Sequence, residues 1–374
     1  MSGKFSYGGV LQLAGLSCSG LVLLASVSGR GPEWPTAVVL ITAGLAVAAS
    51  CSRGVLGQLA FTSWILVGVC VGLAWSSSLV RFPDGFWRFG GQETSVVFIP
   101  LLQLIMFAMG TTLSVADFHR VLQMPTGVVI GLVCQFTLMP LTGYVLAYSF
   151  GLPPEIAAGL ILVGSSPGGL ASNVMVFIAR ANVALSVTMT ACSTLAAPIV
   201  TPLLMQLLAD ELVQIDVSAM MWSMTKIVLL PVLAGLVFHH VLFQRLRWLG
   251  RVMPIVSMVG ILIMTVLTVA AGRDRLIEVG GLLIVACILH STAGFVLGYA
   301  VCRLLRRDVQ TCRTIALEVG LQNAGMATGL AKELGKVATL GLVPIVFGPV
   351  MNVIASVLAN WWRGNPAENA VGVD

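Results

Sequence analysis

Residues 314–331 read Thr-Ile-Ala-Leu-Glu-Val-Gly-Leu-Gln-Asn-Ala-Gly-Met-Ala-Thr-Gly-Leu-Ala, an apolar run of membrane-spanning length with one acid, Glu318, inside it. A charge at the centre of a bilayer is costly, so charge-free runs of about 18 residues or more mark candidate spans. Reading between successive charged residues gives eleven such runs: 5–29, 34–52, 54–80, 94–116, 121–154, 156–179, 181–209, 227–244, 252–272, 279–302 and 337–362. The stretch around Glu318 makes a twelfth, and it alone carries a carboxylate.

The rest of the composition agrees. Of 374 residues, 57% are hydrophobic and 9% charged, and the mean hydropathy is +0.99. A soluble domain carries about 25% charged residues, so a soluble enzyme, a disordered chain and a nucleic-acid binder are all excluded. The runs are continuous rather than alternating, which argues against a β-barrel. The net charge of +5 needs no anionic partner; an excess of Lys and Arg in cytoplasmic loops has the same sign. Sorting charges by alternate loops puts twelve of the twenty basic residues on one side, from Lys4 and Arg53 through Arg303, Arg306 and Arg307 to Arg363. That side is expected to be cytoplasmic, with both termini on it. The eight cysteines are scattered singly with no C-x-x-C pair, and they read as small hydrophobes packed in helices.

No linker divides the chain, so one all-α membrane domain is expected. Residues 1–53 form an N-terminal hydrophobic extension. Two readings fit it: a hairpin of two extra helices, or a signal-like segment over 5–29 followed by one helix. From residue 54 there are ten spans, which divide into five over 54–209 and five over 210–362, before a cytoplasmic tail at 363–374. Five is odd, so a duplicated half enters the membrane upside down. Inverted repeats of this kind are a transporter architecture whose sites lie where discontinuous helices meet near the midplane.

Each half has a break at its fourth span. The first reads Gly164-Ser165-Ser166-Pro167-Gly168-Gly169-Leu170-Ala171-Ser172-Asn173, and the second Glu318-Val319-Gly320-Leu321-Gln322-Asn323-Ala324-Gly325. Proline removes a backbone donor and glycine weakens a helix. The carbonyls so freed must be satisfied by protein, water or an ion. Around the breaks stand Ser172 and Asn173, Ser186 and Thr190 four apart on one helix face, Glu318 and Gln322, and Gln135 mid-span. Hydroxyl, amide and carboxylate oxygens suit a hard cation, and no His–Cys cluster suggests a transition metal. Ser, Thr and Gln in membrane helices also serve as backbone-bonded or interhelical glue. An intramembrane acid such as Glu318 reads as functional.

Two other readings use the same residues. Glu318 serves equally as a proton carrier. Gly164-Ser165-Ser166-Pro167-Gly168 matches G-x-S-x-G, which with His290 as base sketches an intramembrane serine hydrolase; that motif requires a strand–turn–helix elbow, and here it lies in an apolar helical run.

Pro167-Gly168-Gly169, Ala171-Ser172-Asn173-Val174-Met175, Ala179 to Val187, Glu318 to Asn323, and Cys134-Gln135-Phe136 with Met139-Pro140 together resemble the bile acid:sodium symporter family over roughly 54–362. The resemblance implies ten core transmembrane helices in two inverted five-helix repeats. Helices four and nine would be broken and crossed, and a panel would face a core. It implies sodium-coupled symport of a small or amphipathic organic anion by alternating access, with no enzymatic activity and no cofactor beyond two sodium ions. The first sodium site would use Ser172, Asn173, Ser186, Thr190 and Glu318. The second would use Gln135, Glu318 and Gln322 with backbone oxygens of Val319 and Leu321. Substrate would meet Gly169, Leu170, Asn323 and Asn352. Leu170 and Met351 stand where the family pattern carries polar residues, so the substrate stays open among bile salts, pantoate, pyruvate and other carboxylates. The expected setting is a bacterial inner membrane, with lipid, sodium and the anion as partners and no nucleic acid or obligate protein partner.

Overall fold

A computed structural model describes residues 34–51, 60–76, 95–242 and 249–365. Among them every regular element is helical. In chain order these are α1 (Trp34–Cys51), α2 (Ala60–Ala74), α3 (Ser95–Gly110), α4 (Val115–Gln123), α5 (Pro125–Ser149), α6 (Pro154–Gly164), α7 (Leu170–Ile178) and α8 (Val183–Ala209). Then come α9 (Val217–Met224), a π-helical turn (Thr225–Leu229), α10 (Leu230–Leu242), α11 (Leu249–Ala271), α12 (Arg273–Leu304), α13 (Val309–Gly320), α14 (Ala324–Glu333) and α15 (Leu342–Gly364). The expected span at 5–29 and most of the tail lie outside the described residues.

Among the described residues, five helices are long and apolar enough to cross a bilayer: α5, α8, the continuous run Val217–Val241, α12 and α15. Taken as one span, the bent pair α3–α4 makes six. The remaining apolar stretches, Thr36–Ser50, Thr62–Ala74, Pro154–Gly164 and Ile255–Ala271, are shorter, and two expected spans explain part of the difference. Residues 156–179 form α6 and α7 with a break between, and 314–331 fall in α13 and α14 with another. The span expected at 227–244 instead begins ten residues earlier, at Val217. Lys226 set the expected boundary, but its side chain is exposed and its ammonium sits over the Trp222 ring at 5.3 Å. A long aliphatic stem carries the charge along an apolar surface without ending the helix.

Local chemistry sets many of the ends. Asn182 caps α8 by accepting from the Leu185 N–H at 3.0 Å, Asp308 caps α13 through Thr311 at 2.9 Å, and Asn323 caps α14 through Met326 at 3.0 Å. Pro125 occupies the first position of α5, where no donor is needed.

The helices pack in two groups. One contains α1, α2, α3, α10 and α11; the other is built from α5, α6, α8, α12, α13 and α15. Within the first, α3 and α10 approach so closely that a Cβ on Gly110 would lie 2.1 Å from the Val232 carbonyl and one on Gly235 2.2 Å from that of Phe107. Small residues at such crossings let backbones touch without a hydrophobic driving force between helices. In the second, Gly294 of α12 backs onto Gly320 of α13, with a built Cβ 2.9 Å from its Cα.

At one end of the second group, Lys336 of the α14–α15 connection pairs with Glu155 at the start of α6. The Lys336 ammonium hydrogen-bonds the Glu155 carboxyl and holds it below the usual glutamate range. A depressed carboxyl pKa stabilises the fold above its unfolded value, and that stabilisation is lost as pH falls through the folded one. Both side chains are about one-third exposed, so solvent screens the pair. Lys336→Ala is expected to cost less than about 1 kcal/mol at neutral pH. The difference in melting temperature from the parent protein should vanish in acid.

Candidate cation and ligand site

The two breaks meet. α6 ends at Gly164 and α7 starts at Leu170, while α13 ends at Gly320 and α14 starts at Ala324. The segments between them form an antiparallel bridge at Gly168 and Gln322. The Gly169 N–H donates to the Leu321 carbonyl at 3.1 Å, and the Asn323 N–H donates to that of Pro167 at 2.9 Å. Backbone groups freed by each break are thus satisfied by the other, which is how non-helical backbone persists in an apolar interior. The fit requires glycine. A Cβ on Gly168 would stand 2.9 Å from Glu318 Oε2, and one on Gly169 would stand 2.9 Å from the Gln322 carbonyl oxygen.

Glu318 lies in the last turn of α13 rather than in the break itself, and it is 1% exposed. Its Oε1 accepts from Ser172 at 2.6 Å and also touches the Ser186 hydroxyl; its Oε2 accepts from Thr190 at 3.0 Å. Ser186 also contacts Asn173 Oδ1 at 2.7 Å, and Ser172 contacts the Gly169 carbonyl at 2.7 Å. All five side chains expected for the first sodium site therefore converge, from α7, α8 and α13.

The proton count shows what this cluster lacks. Three hydroxyls face five oxygen contacts, and each hydroxyl has one proton. The carboxylate also sits at a helix C-terminus, the end of the macrodipole that shares its sign. Among the described residues no Lys, Arg or His forms an ion pair with it. A buried carboxylate in such surroundings calls for a cation or a proton. The donors are all hard oxygens, and the described residues contain no group of three or more His, Cys, Asp and Glu that suits another metal.

The second expected set is also adjacent, but its oxygens engage amide protons. Gln135 Nε2 donates to Gln322 Oε1 at 2.7 Å and to the Ser166 carbonyl at 2.8 Å. Gln322 Nε2 donates to the Val319 carbonyl at 2.7 Å, and the Leu321 carbonyl is taken by Gly169. The described contacts of the Glu318 carboxylate all go to the first set.

Beside the crossing lies a cavity of about 390 Å³ between the two helix groups. The starts of α7 and α14 open onto it, and Gly169, Leu170, Asn323 and Asn352 all line it. Among the described residues none of its lining side chains is charged. An anion there would meet helix N-termini, neutral amides and hydroxyls rather than a side-chain cation of the described lining. Six methionines line it: Met106, Met109, Met175, Met258, Met264 and Met351. Sequence reasoning missed this wall, because methionines within apolar helices look like ordinary core. Ser257 was missed as well; the available signal was a polar residue mid-span in α11.

The hydrolase arrangement does not form. The Ser166 hydroxyl is buried and donates to its own helix at the Leu162 carbonyl, 2.8 Å away. His290 is bound through Nε2 to the Met139 carbonyl at 2.9 Å.

Comparison with known proteins adds to this geometry. A model of the sodium bile acid symporter family matches residues 99–279. The chain is 38% identical over 313 residues to the uncharacterized sodium-dependent transporter YocS of Bacillus subtilis (strain 168), covering 83% of this chain and 93% of that protein. It is 36% identical over 307 residues to the probable chloroplastic sodium/metabolite cotransporter BASS1 of Arabidopsis thaliana, covering 81% and 73%. It is 31% identical over 274 residues to the ileal sodium/bile acid cotransporter of Cricetulus griseus, covering 71% and 78%.

Proposed function

Because this chain belongs to the sodium bile acid symporter family, whose members are sodium-coupled membrane transporters rather than enzymes, we propose that it is a symporter that draws an organic monoanion across a bilayer on a sodium gradient. The observation that carries the reading is the oxygen cluster at Glu318, which has a buried carboxylate, too few protons and, among the described residues, no ion-pair partner. The cation is sodium held by Ser172, Asn173, Ser186, Thr190 and Glu318. A second sodium enters when the Gln135 and Gln322 amides turn their oxygens inward, towards the Glu318 carboxylate and the backbone oxygens of Val319 and Leu321.

The mechanism follows from the crossing. Ser172 and Asn173 stand at the start of α7, Glu318 ends α13 and Ser186 and Thr190 lie on α8, so one ion ties three helices together. That tie fixes the starts of α7 and α14, whose partial positive charge faces the cavity and receives the carboxylate. Gly169, Leu170, Asn323 and Asn352 form the receiving wall. The two halves, 54–209 and 210–362, correspond as inverted repeats, each with its break at its fourth span. The helix group α2, α3, α10 and α11 is the panel against which the rest moves, exposing the cavity to alternate sides. Both termini lie in the cytoplasm of a bacterial cell.

Graded loss of the cluster tests this. Ser186→Ala and Thr190→Ala each remove one ligand oxygen and are each expected to weaken half-saturation by sodium by about tenfold, equivalent to about 1.4 kcal/mol. Uptake into proteoliposomes as a function of sodium reads the effect. Unchanged sodium dependence in both variants would remove the cluster from the coupling site. A proton-coupled carrier using Glu318 is the second reading, since a proton also satisfies an uncompensated carboxylate. Uptake that follows pH and ignores sodium would select it.

A further inference from the structure

Ser257 lines the cavity from α11 and is 7% exposed, yet among the described residues its hydroxyl has no hydrogen-bond partner. A helical serine ordinarily returns its proton to a carbonyl one turn back. Two other hydroxyls of the same cavity do so: Thr265 bonds to the Ile261 carbonyl at 2.8 Å, and Thr328 to that of Ala324 at 2.9 Å. Other buried polar atoms without a partner, such as Thr194 Oγ1 and Thr268 Oγ1, belong to residues that do not line it. An unpaired hydroxyl in an apolar interior is costly, and a ligand that pairs with it recovers that cost. The hydroxyl swings about a single torsion, and one turn along α11 Ile261 comes within 3.8 Å of a Cβ built on Gly325 at the start of α14.

From this placement we infer that Ser257 is a specificity-determining residue, which hydrogen-bonds a second, uncharged polar group on a monocarboxylate whose carboxylate lies at the starts of α7 and α14. The inference rests on the reading of the chain as a carrier of an organic monoanion. Ser257 thereby discriminates among monocarboxylates with an apolar body by whether they carry such an oxygen substituent. The body packs against the six methionines, whose unbranched side chains adapt to its shape. The oxygen substituent pairs with Ser257. A dicarboxylate is disfavoured, because its second charge would enter a wall with no cation.

The test compares hexanoate with its 2-, 3- and 6-hydroxy derivatives in sodium buffer, by ligand-induced thermal shift and competition for uptake. Wild-type protein is expected to favour at least one hydroxy isomer over hexanoate by about fivefold or more. Ser257→Ala should bring that ratio near unity, and Ser257→Thr, which keeps the hydroxyl, should retain it. Ser257→Cys, isosteric with a weaker donor, reads the same ratio if the alanine variant does not fold. A wild type with no preference among the four, or a preference that survives in Ser257→Ala, overturns the assignment. Failure of all four to bind in sodium overturns the monocarboxylate reading beneath it.

Discussion

Glu318→Gln is expected to abolish sodium-driven uptake, a loss of at least about 100-fold, while leaving the protein folded. A factor of 100 corresponds to about 2.8 kcal/mol, within the cost of removing one member of a buried charge pair. The variant keeps the side-chain volume and loses the charge that offsets a bound cation. It also puts an amide N–H₂, a donor, where a carboxylate oxygen would face the cation. Glu318→Ala makes the same point by leaving a gap among Ser172, Ser186 and Thr190. The folded state should survive, because without sodium the native carboxylate is an uncompensated buried charge at a helix C-terminus. In sodium-free buffer the glutamine variant is therefore expected to melt no lower than the parent. Normal sodium-driven uptake by Glu318→Ala would sink the proposal.

The second large effect belongs to the backbone. Gly169→Ala puts a methyl 2.9 Å from the Gln322 carbonyl oxygen, an atom that cannot swing aside as a side chain can. Relief requires the two break segments to separate, which lengthens the Gly169–Leu321 hydrogen bond and shifts the start of α7. Overpacking of this kind costs about 1–3 kcal/mol, so a melting temperature several degrees lower is expected, together with near-complete loss of uptake. The functional loss should exceed the stability loss, because the same displacement moves Ser172 and the ligand-facing end of α7. A variant with parental uptake would mean that the crossing is not the coupling element.

The two effects differ in how far the sequence announces them. Glu318 is legible because the cost of an intramembrane charge is local: one acid in an apolar run stands out without any tertiary information. Pro167, Gly168 and Gly169 are legible as a break for the same reason. Their partner is not. The bridge from Gly168 to Gln322 joins distant segments through backbone atoms, and backbone hydrogen bonding leaves no residue-type signature beyond the glycines that permit it. The convergence of Ser172, Asn173, Ser186 and Thr190 on Glu318 was expected from family resemblance. From the residues themselves these oxygens could be read as a set around the breaks suited to a hard cation, with Ser186 and Thr190 on one helix face, but not which of them meet Glu318.

Where charge was the only guide, it misplaced an edge. Lys226 ended an expected span because a charge count has no term for a side chain that carries its ammonium out over Trp222. Glu318 was expected within the break and stands instead in the final turn before it. Gly320 marks a weak point that the sequence shows, but the crossing that fixes where α13 ends is a three-dimensional fact that a run of apolar letters does not contain. The cavity was the least legible part. Its methionines come from α3, α7, α11 and α15, and nothing in any one helix marks them as sharing a wall.

The most direct test of the account is equilibrium binding of radioactive sodium to the purified protein in detergent, with potassium and choline as competitors, for wild type and Glu318→Gln. The account predicts saturable sodium binding to wild type that potassium and choline do not displace, and none to the variant. Equal binding to both proteins, or no binding to wild type, would contradict it.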